Sequence, residues 1–117
     1  MTNSQKQVEV VKKLLKDTFN ASAKANEILF KNYRNKHDEF IASIFLNKAI
    51  AIVASCKAIY YSNLENLEDD RIENIFSKFD IFNNEFLNNI STGHSHQWTD
   101  IEFNSFKDSV AELLGEI

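Results

Sequence analysis

Proline is absent from the 117 residues, and glycine occurs only at Gly93 and Gly115. The residues that punctuate β-turns and break helices are therefore almost missing, which disfavours an all-β chain and leaves long helices uninterrupted. One cysteine, Cys56, excludes an intrachain disulfide. The two arginines, Arg34 and Arg71, are too few for the usual phosphate chemistry. There is no Gly-rich phosphate loop, no Gly-x-Ser-x-Gly and no Cys-x-x-Cys. No catalytic residue and no cofactor is expected, and the chain reads as a non-enzyme.

What is present is ordinary for a globular domain: 44% hydrophobic and 26% charged residues, with ten Phe supplying much of the apolar volume. A chain of this length buries a core without metal or disulfide support, and one domain over residues 1 to 117 is the expectation. No basic, apolar, small-residue leader precedes residues 4 to 15, so a reducing cytoplasm is the expected location. The most apolar stretch, residues 40 to 61, is as long as a membrane span, but Asn47, Lys48 and Lys57 interrupt it. It reads as a buried core helix, with no membrane partner.

Charge is unevenly placed. Residues 1 to 36 carry eight Lys and Arg against three Asp and Glu, and residues 37 to 117 carry five against fourteen, for a net −4. The acidic balance argues against nucleic acid as a partner, because phosphates require a basic face, and favours a basic protein.

Hydrophobic periodicity predicts four helices. The first spans about residues 4 to 32, with Val8, Val11, Leu15, Thr18, Ser22, Ala25 and Leu29 on one face. Lys6, Lys12, Lys13, Lys16, Lys24 and Lys31 form an opposite, solvated stripe. Asn35 as N-cap with Asp38 three residues on starts the second helix near Lys36. Its stripe is Ile41, Ile44, Phe45, Ile52, Cys56 and Ile59, while Leu46, Ile50, Val53 and Tyr60 extend the apolar surface around most of its circumference. Such a helix is either central in the bundle or shared with a partner, and a homodimer through it is one reading. Lys48 falls within that stripe, where its stem is expected to snorkel from the edge. A third helix over about residues 68 to 89 buries Ile72, Ile75, Phe76, Phe79, Phe82, Phe86 and Ile90, with Ile81 outward, and Gly93 ends it. Thr99-Asp100-Ile101-Glu102 reads as a capping box opening the fourth helix, with Trp98 and Phe103 as its hydrophobic staple. The buried stripe there is Phe103, Phe106, Val110, Leu113 and Leu114. Short connections favour an antiparallel up-down-up-down four-helix bundle.

That topology creates two ends. One gathers His37, His94, His96 and Trp98. Two imidazoles from His94 and His96, with His37, Asp38 or Asp100, outline a metal or acid/base site; polar loops carry such histidines commonly, and the Glu-x-x-His repeats of di-iron bundles are absent. The other end gathers Tyr60, Tyr61, Glu65, Glu68, Asp69, Asp70 and Glu73. Tyrosines offer contact area at low entropy cost and carboxylates steer a basic partner. The bland alternative makes Tyr60 half-buried core and the acids a complement to a helix dipole.

Ile59-Tyr60-Tyr61-Ser62 followed by Glu65, Asp69, Asp70 and Ile72 is locally similar, over about fourteen positions, to the tyrosine-pair-plus-acid region of the colicin nuclease immunity proteins. The Pro and Gly of that family's loop are absent, and the likeness stops short of the flanking helices. It implies residues that cover a nuclease. The Arg-rich helical ribonuclease motif of the prokaryotic nucleotide-binding bundles is not matched, since Arg34 precedes His37 by three positions where five are needed. The leading expectation is an immunity protein or small inhibitor of a basic partner, such as a bacterial nuclease toxin. Alternatives are a self-associating structural or regulatory subunit, or a metal site at the histidine end.

Overall fold

A computed structural model describes residues 2–30 and 35–115. Four long helices and one short turn of helix follow in order: α1 (Asn3–Leu29), α2 (Lys36–Ser62), α3 (Leu64–Leu67), α4 (Asp70–Thr92) and α5 (His96–Leu114). No strand occurs among the described residues. The long helices pack antiparallel into an elongated up-down-up-down bundle, 50 × 22 × 21 Å. Going round it, α2 packs on α1, α1 on α5, and α5 on α4, while the seam that closes the ring between α4 and α2 is thin.

The helix starts follow from local chemistry. The Thr2 hydroxyl accepts from the Gln5 amide at 3.1 Å and the Gln5 side chain accepts from the Thr2 amide at 2.8 Å, a capping box that opens α1. Asn35 and Asp38 exchange the same pair of bonds at 2.9 and 3.1 Å at the start of α2, as their spacing predicts. The end expected for the first helix, at Lys31 and Asn32, lies outside the described residues, as does Arg34; the described helix closes at Leu29 with Phe30 as its cap. Gly93, at φ +73°, terminates α4 in the left-handed region that glycine tolerates.

One expectation about a helix start is corrected. The fourth long helix begins at His96, three residues before the expected capping box. Ser95 is its N-cap, accepting from the Gln97 amide at 3.2 Å. Gly93 reverses the chain so tightly that only residues 93–95 separate α4 from α5. Thr99 is then fully buried inside the helix, and Trp98, 53% exposed, faces outward instead of stapling Phe103. The connection between the second and third long helices, where the polar, capping-competent Ser62, Asn63 and Asn66 suggest a fraying helical turn, contains the α3 turn, which buries Leu67 against the core.

One core draws on all the helices. Phe82 lies at its centre, with ring centroids of Phe79, Phe86, Phe103 and Phe106 at 5.4 to 6.5 Å, and Phe19 reaches Phe103 and Phe106 from α1. Burial of each such ring stabilises the fold by roughly 1.5–3 kcal/mol. The expected faces of α1, α4 and α5 are the buried ones, with Val8, Ile90 and Leu114 only partly covered.

The face of α2 is different. It buries Ala42, Leu46, Ala49, Val53, Cys56 and Tyr60, spaced by fours and threes, and of the expected stripe only Cys56 is fully buried. Ile41, Phe45, Ile52 and Ile59 are half-buried on the flank toward α1, and Ile44 is exposed. Small residues at 42 and 49 bring the α2 backbone close to α1, so the largest aliphatic side chains do not mark the inward face. Lys48 is accordingly exposed, at the rim of a groove of about 400 Å³ between α1 and α2 that Asp17, Lys24, Phe45 and Ile52 also line. By length and mean hydropathy (1.6) α2 is apolar enough to cross a membrane, yet only 28% of its most apolar window is buried. It is a corner helix, not the central one.

Candidate functional site

The antiparallel topology places the second connection at one end of the bundle. Gln7 near the start of α1 donates to the Asn63 side chain at 3.0 Å there, which ties that end together. Tyr60 and Tyr61 close α2, and the carboxylates follow on α3 and the first turn of α4.

The two tyrosines have opposite roles. Tyr60 is fully buried. Its hydroxyl donates to Glu73 Oε2 at 2.8 Å, with the Asp69 carbonyl oxygen at 3.3 Å, and accepts from the Asp69 amide at 3.0 Å. Burial pushes the phenol up to about 12. Tyr60 is thus a pillar under the surface, whereas the sequence reading placed it among the contacts. Tyr61 is 54% exposed, with its ring 5.0 Å from Tyr60 at 85° and 6.1 Å from Phe76. The exposed ring therefore rests against two buried ones, in the edge-on and tilted arrangements that aromatic pairs favour.

The acids also divide. Asp69 caps α4 by accepting from the Arg71 amide at 2.9 Å, and Arg71 grips both of its oxygens through Nε and a terminal nitrogen at 3.1 and 2.8 Å. That side-chain bond from Arg71 holds the Asp69 carboxyl below its usual range and raises the guanidinium in turn. Asp69 is consequently neutralised within the chain. Glu65, Glu68, Asp70 and Glu73 remain exposed. Among the described residues no ion pair engages Glu65, Glu68 or Asp70. Asp70 and Glu73 complement the α4 dipole, a structural role that leaves their outer oxygens free to meet a cation.

Two cations that helical periodicity does not reveal, Arg71 and Lys57, also lie here. Arg71 is recognisable only once Asp69 is known to be the N-cap, because the fork closes across two residues. Lys57 sits over the Phe76 ring at 5.6 Å and reaches Asp80 at 3.6 Å, closing the seam between α2 and α4 beside Tyr61.

At the opposite end His94 pairs with Glu85 and stacks on Trp98, the centroids 6.2 Å apart and the planes at 4°. His96 meets Phe30 edge-on at 4.8 Å, which confirms that the first and third connections share that end. His37 stands exposed in the first turn of α2. Among the described residues no three His, Cys, Asp or Glu side chains converge as a metal-ligand set. Each described histidine at the end of α4 and start of α5 instead has a carboxylate or aromatic neighbour. Cys56 is buried, its thiol 3.8 Å from the Val11 carbonyl oxygen and pushed up to about 12 by burial, which suits a packing residue and not a nucleophile.

Fold and site together define an all-α helical bundle with an exposed tyrosine and carboxylates outside any described ion pair at one end. Compared with family models, with curated proteins and with solved structures, the chain matches none.

Proposed function

We propose that this chain is a non-catalytic protein-binding domain that holds a basic partner at its tyrosine and carboxylate end, in the manner of an immunity protein or small inhibitor covering a nuclease toxin. The observation that carries the reading is Tyr61, half exposed against Tyr60 and Phe76, at the same end of the bundle as the exposed Glu65, Glu68 and Asp70, which no described cation engages. A preset aromatic ring docks with little loss of rotamer freedom, and unpaired carboxylates accelerate encounter with a cationic surface. Inhibition by such a surface is steric and electrostatic and needs no reacting group.

The test is a side-by-side capture from host lysate with three baits: the native chain, Tyr61→Ala, and the triple replacement of Glu65, Glu68 and Asp70 by Lys. A basic protein held stoichiometrically by the native chain and lost by both variants supports the reading. Equal capture by all three baits, or capture of no basic protein by the native chain, overturns it.

A further inference from the structure

The outward side of α2 differs in kind from that of the neighbouring α1. The outward side of α1 carries Lys6, Lys13, Lys16, Lys24 and Glu27. From Phe40 to Ser62, the outward side of α2 carries Phe40 (63% exposed), Ile44 (47%), Asn47, Lys48, Ala51, Ala54, Ser55, Ala58 and Ser62, without a single carboxylate. Bulk is graded along it. The large side chains stand at the N-terminal end and only alanine and serine at the C-terminal end.

We infer that this face is a two-fold contact with a second copy of the chain, in which the two α2 helices pair antiparallel about Ala51. A two-fold interface must be complementary to itself, so residue i meets residue j and j meets i. With Ala51 on the axis, Ile44 lies level with the copy's Ala58 and Phe40 with its Ser62, each large side chain over a small one, twice. Ala51 meets its own counterpart where the axes approach most closely, and small residues there permit that approach. A parallel pairing instead sets Phe40 on Phe40 and leaves the alanines facing each other across a gap, which forfeits packing density.

Charge follows the same register. Lys36 and His37, both exposed at the start of α2, come level with the copy's chain just beyond Ser62, where Glu65 is exposed. The two Lys48 side chains fall about 9 Å apart along the axis at 1.5 Å per residue, so they are not forced together. Each lies toward the α1 groove, where its amine stays in water. The paired strip is about 33 Å long and about 10 Å wide. That footprint is small beside the roughly 800 Å² per partner of a standard interface, which places the dimer among weak, concentration-dependent ones. Tyr61 and the acids of α4 lie on the flank facing α4, so this contact shares only Glu65 with the partner surface proposed above, and Tyr61, Glu68 and Asp70 stay clear of it.

Sedimentation velocity on the unmodified chain, from micromolar to millimolar concentration, is the first arm of the test. The expected result is a shift from 13.5 kDa to twice that mass, abolished by Ile44→Glu with the helical circular dichroism unchanged. Register is read in a Cys56→Ala background by diamide oxidation. Ala51→Cys alone cross-links, and a mixture of Ile44→Cys and Ala58→Cys chains cross-links to each other. Neither of those two self-links, because like positions stand about 21 Å apart, beyond the ~7 Å reach of a disulfide. A strict monomer at every concentration, self-linking of Ile44→Cys, or binding of the monomer through α2 to phosphatidylglycerol vesicles overturns the inference.

Discussion

Tyr60 donates its phenolic hydrogen to Glu73 Oε2 at 2.8 Å, joining the last turn of α2 to the first turn of α4. The same oxygen receives the Asp69 amide at 3.0 Å. One buried hydroxyl therefore sets the position of both the α4 cap and a carboxylate of the proposed docking surface.

Tyr60→Phe keeps the ring and removes both bonds, leaving the Asp69 amide without its acceptor. The expected cost is about 1–2 kcal/mol, the range for orphaning a group in a partly buried network. Urea denaturation checks it: the midpoint should fall with an unchanged slope. A midpoint equal to that of the native chain shows that the network contributes nothing.

The buried thiol and phenol give stability a definite alkaline limb. Cys56 is pushed from 9.0 to about 12 and Tyr60 from 10.0 to about 12. Well below pH 9 both groups are neutral whether the chain is folded or not, and their favourable burial is intact. As pH rises toward 12 the unfolded chain ionises first, so stability falls through that window. Urea midpoints measured between pH 8 and 11 should decline less steeply in Cys56→Ala than in the native chain, even though that variant starts lower because of the space it opens. Identical slopes contradict the burial of the thiol.

At the start of α5, Ser95 and not Thr99 satisfies a free amide. Ser95→Ala should cost about 1 kcal/mol, as loss of an N-cap does. Thr99→Val, which keeps the shape within a fully buried position, should stay within about 0.5 kcal/mol of the native chain in thermal or urea unfolding. The opposite ranking restores the capping box at Thr99.

Where the sequence could be read correctly, amphipathic contrast was strong. The lysine stripe of α1 and the asparagine and acid face of α4 leave one orientation for each helix, and the buried residues follow. In α2 that contrast is missing. Isoleucines and alanines occur all round it, and the inward face is chosen by close approach to α1 at Ala42 and Ala49, a tertiary effect that periodicity does not register. The same difficulty hid the role of Tyr60. Adjacent tyrosines on a helix point about 100° apart, so the two need not share an environment. Which one turns inward depends on the face of α2. The two ends of the bundle, by contrast, follow from helix number and short connections alone, and Phe30 beside His96 places the first and third turns together. Arg71 was missed because its partner is set by a cap, and its pairing removes Asp69 from the charge available to a partner.

The association rate of the native chain with its basic partner, followed by stopped flow against ionic strength, tests the proposed function most directly. Steering by Glu65, Glu68 and Asp70 predicts a rate that falls steeply as salt rises to 0.15 M. Their replacement by Lys should slow association at low salt by about 10-fold or more and flatten that dependence. Equal rates for the native and triply substituted chains, with the same response to salt, contradict the assignment of this end as the docking surface.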